Sequence, residues 1–333
     1  MHTLTKFQSL VLNTLDDSYL NLIILPTEKC NFRCTYCYED FAIGKMSSMV
    51  QSAITNLLRK RLPELNFLEI SWFGGEPLLG KDVIYNISKF ILREKTHKTK
   101  FVANLTTNAY HLDKETFGEL VNCNVTKYQI SLDGDMTLHN ETRILANGNG
   151  TFQKIWDNLL MMHNSIYEFE LIIRVHFTID NYKQHERLIQ LFNSHLSNDK
   201  RIKIYFKAIE RLGGANDATI KQLEHFQKKE IKRYLDSMIL DQEQLFNLSS
   251  DDSPYICYAS QPNSLMIRAN GKLGKCTVAL NNDKNDIGFI NELGELHVNE
   301  NLKYWMKGIE TLDLQTLACP LSKIDLTIKT SEK

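Results

Sequence analysis

Three cysteines fall within eight residues, Cys30-Asn-Phe-Arg-Cys34-Thr-Tyr-Cys37. The spacing is C-x3-C-x2-C, and it follows a short apolar run, Leu20–Leu25, closed by Pro26. Three thiolates this close reach three corners of one small cluster. A tetrahedral zinc site wants a fourth ligand, and none is adjacent. A [4Fe–4S] cube has four irons, so three cysteines leave one iron open to a substrate or cofactor. The competing readings are a zinc knuckle and three buried thiols. Four further cysteines, Cys123, Cys257, Cys276 and Cys319, bring the total to seven. An odd count in a reducing compartment argues against disulfides, and clustered thiols there point to metal or catalysis.

Other segments could line such a site. Phe73-Gly74-Gly75-Glu76-Pro77 is a turn carrying one carboxylate. Glycines let the backbone approach a ligand, and a carboxylate pairs with an ammonium. Leu105-Thr106-Thr107-Asn108 and Ile130-Ser131-Leu132-Asp133-Gly134, with His139 and Arg143 beyond, are turn-rich segments. Taken singly, each is explained by turn chemistry alone.

The elements that position these residues read as alternating strands and helices. Strands are expected at Leu20–Leu25, Phe67–Phe73, Phe101–Thr106, Lys127–Leu132, Glu170–Thr178 and Ile202–Ile209. Helices are expected at Met46–Arg61, Val83–Lys95, Asp113–Val121, Phe152–His163 and Tyr182–Ser194. About six strand–helix repeats argue for parallel βα units. Periodicity leaves open whether they form a doubly wound sheet or a partial barrel. Gly213-Gly214 then breaks the pattern. Ala218–Phe246 reads as a helical linker, and Ser249–Pro254 as a loop. From Cys257 onward short strands are expected at Leu265–Arg268 and Asp286–Phe289, with a turn at Asn270-Gly271. The end, Lys323–Lys333, reads as frayed.

The cysteine loop, with aromatic Tyr36 before the third cysteine and Tyr38 after it, resembles the signature of the radical S-adenosylmethionine (SAM) superfamily. Gly74, Gly75, Glu76 and Pro77, at the end of the second strand, resemble that superfamily's GGE motif, which binds the methionine end of SAM. The Asn108 segment, the Ser131-Leu132-Asp133-Gly134…His139…Arg143 segment, Gly150-Thr151-Phe152 and the strand holding Arg174 are similar to the SPASM/twitch-containing branch. Asn108 is followed by Ala109 where the family often has glycine. The resemblance runs from Leu20 to Leu321. It implies a fold that periodicity left undecided, a partial (β/α)6 TIM barrel of the radical SAM type with a small C-terminal SPASM-like domain. The implied division is 1–19 N-terminal extension, 20–215 barrel, 216–250 helical linker and 251–333 truncated auxiliary-cluster domain. It also implies that Cys30, Cys34 and Cys37 hold a [4Fe–4S] cluster. Tyr36, Gly74, Gly75, Glu76, Pro77, Asn108, Ser131, Asp133, Arg143 and Arg174 would then lie along the SAM pocket. Arg174 reads equally as a contact to the SAM carboxylate or as a core-edge ion pair.

Cys257-x13-Gly271-x4-Cys276 is the opening half of the SPASM pattern. The later cysteine run is missing; only Cys319 remains, with Thr316 where a C-x2-C partner would stand. Two full auxiliary clusters cannot be built from these thiols. Cys257, Cys276 and Cys319 could hold one auxiliary Fe–S cluster, Cys123 could complete it, or the domain could keep its fold without a cluster. Cys123 reads most simply as a buried structural thiol.

Of the 333 residues 43% are hydrophobic and 24% charged, an ordinary globular composition. The net charge of −1 gives no reason to expect nucleic acid or an anionic membrane as partner. The N-terminus lacks the apolar core of a signal peptide, and no run approaches about 18 apolar residues, so the expected location is cytoplasmic. The resemblance implies a peptide or protein substrate and an electron donor such as flavodoxin or ferredoxin. Maturation of a ribosomally made peptide, by a carbon–carbon or thioether cross-link or by epimerisation, is the leading expectation. Sulfatase-maturase-like oxidation, a small-molecule radical dehydrogenase and an Fe–S sensor or binding protein are the alternatives. Thr277 stands where the sulfatase-maturing group typically has Asp, and no leader-recognition domain fits before Leu20.

Overall fold

The computed structural model describes residues 6–246 and 255–324. The loop expected at Ser249–Pro254 and the tail beyond Ile324 lie outside the described residues. The chain divides into two compact units. The first comprises residues 1–28, 42–103 and 249–333, and the second 29–41 and 104–248.

The first unit begins with helix α1 (Lys6–Thr14) and strand β1 (Tyr19–Ile24). Five of the six β1 residues are buried, the near-continuous burial expected of a parallel strand covered on both faces. Helix α2 (Ser48–Arg61) opens on a Ser47 cap, whose side chain accepts the Val50 N–H. It closes on Arg59, Lys60 and Arg61, cations suited to the negative end of the helix dipole. Strand β2 (Phe67–Trp72) and helix α3 (Lys81–Glu94) follow, α3 burying Val83, Ile84, Ile87 and Ile91 on one face. Each such side chain adds roughly 1.5–3 kcal/mol of burial.

Strand β3 (Lys100–Thr107) carries the chain into the second unit. There lie α4 (Lys114–Asn122), β4 (Val125–Ser131), α5 (Met136–Thr142), α6 (Phe152–His163), β5 (Glu170–Phe177), α7 (Glu186–His195), β6 (Ile202–Ala208) and α8 (His225–Asp236). Strands β4, β5 and β6 pair in parallel, in that order. Their side chains alternate buried and half-buried, so Arg174 and His176 share one face of β5. The segment expected as a helical linker carries helix α8, with short 3-10 turns at Asp217–Thr219 and Gln242–Gln244. Before His225 the apolar side chains of Ile220 and Leu223 are nonetheless buried.

The chain then returns to the first unit with β7 (Ser264–Ile267), β8 (Lys272–Gly274), β9 (Gly288–Ile290), β10 (Leu296–Val298), α9 (Leu302–Thr311) and α10 (Leu314–Ala318). Strand β7 joins β1 in parallel, while β7–β8, β8–β9 and β9–β10 are antiparallel. The strand order of this unit is thus β10-β9-β8-β7-β1-β2. Helix α1 packs on this C-terminal part, Val11 joining Ile256 and Leu317 in one apolar cluster.

Candidate functional site

In the second unit the cysteine loop is held by backbone pairing with the segment after α5. The Arg33 N–H donates to the Ile144 carbonyl at 2.8 Å, Thr35 N–H to Thr142 at 3.0 Å, and Ala146 N–H to Asn31 at 2.8 Å. Phe32 and Leu145 form the intervening antiparallel bridge. From the other side, Asn216 Nδ2 donates to the Thr35 carbonyl at 2.8 Å. Gly214 packs so closely that a Cβ there would lie 2.4 Å from the Cys37 carbonyl oxygen. The turn closes with the Cys37 N–H on the Cys34 carbonyl. All three thiols are half-buried. Burial pushes the Cys37 thiol up to about 11, and the neighbouring Cys34 adds to the rise. Burial likewise raises Cys34, with the Arg143 cation pulling the other way.

Asp133 is the hub of the polar groups beside this loop. It is buried, and it accepts the Tyr36 hydroxyl, the His176 backbone N–H at 3.0 Å and the His176 Nδ1 at 2.9 Å. Arg143 lies 3.9 Å from Oδ2, the oxygen that accepts Tyr36, and donates to the Tyr36 hydroxyl at 2.8 Å. Burial alone would raise the Asp133 pKa; His176 and Arg143 outweigh it and hold the carboxylate well below the usual range. A second chain fixes the ends of α5. The Asp133 N–H donates to His139 Nδ1 at 3.1 Å, so the proton sits on Nε2. That nitrogen meets Thr151 Oγ1 at 3.0 Å, and Thr151 donates to the Arg143 carbonyl at 2.6 Å. Burial pushes His139 down to about 3, so the ring stays neutral as this geometry requires.

The structure therefore brings Tyr36, Asp133 and Arg143 together and adds His176, which sequence reasoning missed. Its signal was the alternation of β5, which puts residue 176 on the face of Arg174. Asn108 also joins the loop: its Nδ2 donates to Asn31 Oδ1 at 2.9 Å and reaches to 3.9 Å from Cys30 Sγ. Ala109, at the family's glycine position, takes φ +60°. That left-handed conformation costs an alanine about 1–2 kcal/mol. Ser131 and Arg174 are register partners on β4 and β5. The Arg174 Nε is buried without a hydrogen-bond partner among the described residues.

In the first unit, Gly74 has φ +100°, and a Cβ there would stand 2.5 Å from the Thr27 carbonyl oxygen. Glu76 is fully buried, and its Oε1 accepts the Leu78 N–H at 2.9 Å; Pro77 opens the short turn that follows.

The same unit contains Cys257, Cys276 and Cys319, all free thiols. Burial raises the Cys257 thiol to about 11, and the charges of Cys276 and Cys319 add to the rise. The Cys276 turn is pinned by Asn285, whose Oδ1 accepts the Lys275 and Cys276 N–H groups at 2.9 and 3.0 Å. Lys275 is buried, its Nζ donating to the Gln261 and Ser264 carbonyls, and burial lowers it to about 7. Thr277 is tied to the Tyr258 hydroxyl at 2.8 Å, so no carboxylate stands there. Thr316 is a capping partner of Asp313 at the start of α10. Cys123 is a fully buried thiol at the end of α4.

The family model described as Radical SAM superfamily matches residues 24–192, about half of the chain. This chain belongs to the radical SAM superfamily. Enzymes of that superfamily use a [4Fe–4S] cluster with SAM. The chain is 27% identical over 161 residues to a cysteine-type anaerobic sulfatase-maturating enzyme of Clostridium novyi (strain NT). It is 33% identical over 138 residues to a probable GTP 3′,8-cyclase of Archaeoglobus fulgidus. Those matches cover 46% and 40% of this chain, and the chain spans only 43% and 42% of the two relatives. Among solved structures, native anSMEcpe with bound AdoMet and Cp18Cys peptide matches with a TM-score of 0.65 at 18% identity, covering 87% of this chain and 83% of that one. Streptococcus suis SuiB bound to precursor peptide SuiA matches with a TM-score of 0.62 at 18% identity, covering 96% and 74%. These likenesses establish the mixed α/β radical SAM fold with its parallel core, as the motifs implied. No helix among the described residues is long and apolar enough to cross a membrane.

Proposed function

We propose that this chain reductively cleaves S-adenosylmethionine and abstracts a hydrogen atom from a peptide or protein substrate. The observation that carries the reading is the C-x3-C-x2-C loop, which falls inside the superfamily match and is fixed on one side by backbone bonds and on the other by the Asn216 side-chain amide. Its donor set suits a cluster: three half-buried thiols on one turn, with a buried guanidinium close to Cys34.

Cys30, Cys34 and Cys37 would hold the cluster; when it and SAM are bound, one-electron reduction supplies a 5′-deoxyadenosyl radical and methionine. Glu76 offers a buried carboxylate to the methionine ammonium, Gly74 and Gly75 a close backbone, and Ser131 and Arg174 polar groups on adjacent strands. Asn108 steadies the cysteine loop. Cys257, Cys276 and Cys319 are assigned to one auxiliary cluster. In this reading 20–215 forms the catalytic barrel, 216–250 a linker and 251–333 the auxiliary domain. Reduced thiols and an oxygen-sensitive cluster suit the cytoplasm, with a flavodoxin- or ferredoxin-type electron donor.

The peptide substrate is supported by the peptides carried by anSMEcpe and SuiB. A small-molecule substrate is the second reading, favoured by the GTP 3′,8-cyclases among the curated relatives. The test is anaerobic reconstitution, reduction with dithionite and assay of 5′-deoxyadenosine from SAM. Wild type is expected to bind about four irons at this site and to form 5′-deoxyadenosine. The Cys30/Cys34/Cys37 triple Ala variant is expected to form none. Zinc in place of iron in the wild type would sink the proposal, and iron without SAM cleavage would leave an Fe–S sensor.

A further inference from the structure

The pairing that holds the cysteine loop also fixes what faces its middle thiol. Arg33 bonds to Ile144 and Thr35 to Thr142, so the register sets Cys34 opposite Arg143. Cys34 and Arg143 therefore occupy a non-hydrogen-bonded position of an antiparallel pair. There the Cα atoms approach to about 4.5 Å and both side chains project to the same face. Arg143 is 8% exposed. Its guanidinium lies over the Phe32 ring at 5.8 Å, on the same side of the loop. Nη1 donates to the Tyr36 hydroxyl. Nε is buried and has no hydrogen-bond partner among the described residues.

The counter-charge to this cation is incomplete. Asp133 comes no closer than 3.9 Å, beyond hydrogen-bond distance, and its oxygens are taken by Tyr36 and His176. A buried guanidinium thus keeps a spare N–H and much of its field beside the Cys34 sulfur. In a low-dielectric interior such a field is screened far less than in water.

We propose that Arg143 sets the reduction potential of the cluster through Cys34, and that Asp133 acts on it in the opposite sense. The proposal rests on the reading that the triplet holds a cluster. Adding one electron adds one negative charge to the cluster. A buried cation beside a ligand sulfur favours that reduced state, and a neighbouring anion disfavours it. Arg143 is a positioning and charge-setting residue here, acting through the ligand.

The test is a potentiometric titration of reconstituted protein without SAM, reading the reduced cluster by electron paramagnetic resonance. Wild type, Arg143→Gln, Arg143→Lys and Asp133→Asn are compared, with iron content and circular dichroism measured on each. At a fixed potential, Arg143→Gln is expected to lower the reduced-to-oxidised ratio about tenfold, a shift of about 59 mV to more negative potential. Arg143→Lys keeps the charge and is expected to stay within threefold of wild type. Asp133→Asn is expected to raise the ratio. Loss of packing alone has no reason to give opposite signs at the two positions. Equal ratios in wild type and a fully loaded Arg143→Gln variant overturn the proposal. Should Arg143→Gln fail to take up iron, an unchanged or lowered ratio in Asp133→Asn overturns it. A wild type that takes up no iron defeats the underlying radical SAM reading instead.

Discussion

The Arg268 guanidinium closes on Glu28, its Nε 3.2 Å from each carboxylate oxygen and its Nη2 2.5 Å from Oε2. Glu28 also accepts the Ala269 N–H at 3.3 Å, and Arg268 Nη1 donates to the Leu280 carbonyl at 2.8 Å. The pair therefore fixes the chain just after β1 to the end of strand β7 within the first unit. Removing one partner leaves the other charged and buried. Glu28→Ala is expected to cost about 3–5 kcal/mol, read as a lower urea midpoint at an unchanged slope. An Arg268→Met and Glu28→Leu double variant is expected to recover part of the loss. A midpoint equal to wild type in the single variant would show that the pair contributes nothing.

His139 predicts a pH dependence. Its folded pKa is pushed down to about 3, from an ordinary value near 6.5, chiefly by burial. Between those values the unfolded chain carries a proton that the folded chain does not. Stability from this group is therefore full above about pH 6.5 and falls with falling pH, by about 1.36 kcal/mol per unit. His185, pushed down to about 4 by burial, adds a similar slope. His139→Gln is expected to remove its own share of the slope between pH 6.5 and 4 while leaving that of His185. Parallel stability–pH curves for variant and wild type would contradict this.

Two glycines of the first unit should respond differently to a methyl group. Gly74→Ala meets both a left-handed φ of +100° and a carbonyl oxygen 2.5 Å away, a backbone contact that cannot swing aside. A loss of at least about 2 kcal/mol is expected. At Gly44 an added Cβ meets nothing within 4 Å. Gly44→Ala is expected to stay within about 0.5 kcal/mol of wild type. Thermal melts of both variants check the contrast, and equal melting temperatures would refute it.

Iron analysis separates the two groups of thiols. With one auxiliary cluster present, reconstituted wild type holds about six to eight irons. The Cys257/Cys276/Cys319 triple Ala variant should then lose about two to four and keep the rest. An identical iron content in variant and wild type would show that the second group binds none.

Much of this architecture is legible in the residues, because burial repeats with the period of each element. Helix α6 begins at Phe152 and ends at His163, where the sequence pattern places it. The β5 strand ends one residue short of its expected limit. The site is legible where it rides on those elements: Asp133 after β4, Arg174 on β5, Glu76 after β2. His176 lies on the same periodic face as Arg174 yet carries no motif of its own. The pairing of Asn31–Thr35 with 142–146 leaves no periodic trace, since two irregular segments more than a hundred residues apart meet there. Helices α9 and α10 are short, and their packing on α1 comes from tertiary contacts rather than local pattern.

The shape of the cysteine loop also dictates a schedule. Asn31–Thr35 gains its backbone partners only once residues 142–146 exist, and the Thr35 carbonyl's partner and the close packing on Cys37 come only with Asn216 and Gly214. At about 5–20 residues per second, a ribosome needs on the order of ten seconds or more to travel from the third cysteine to that glycine. During that interval the three thiols are presented on an unformed segment, reactive towards oxygen and stray metal. On this schedule the loop's fixed geometry is completed only after residues 142–146, 214 and 216 have been made.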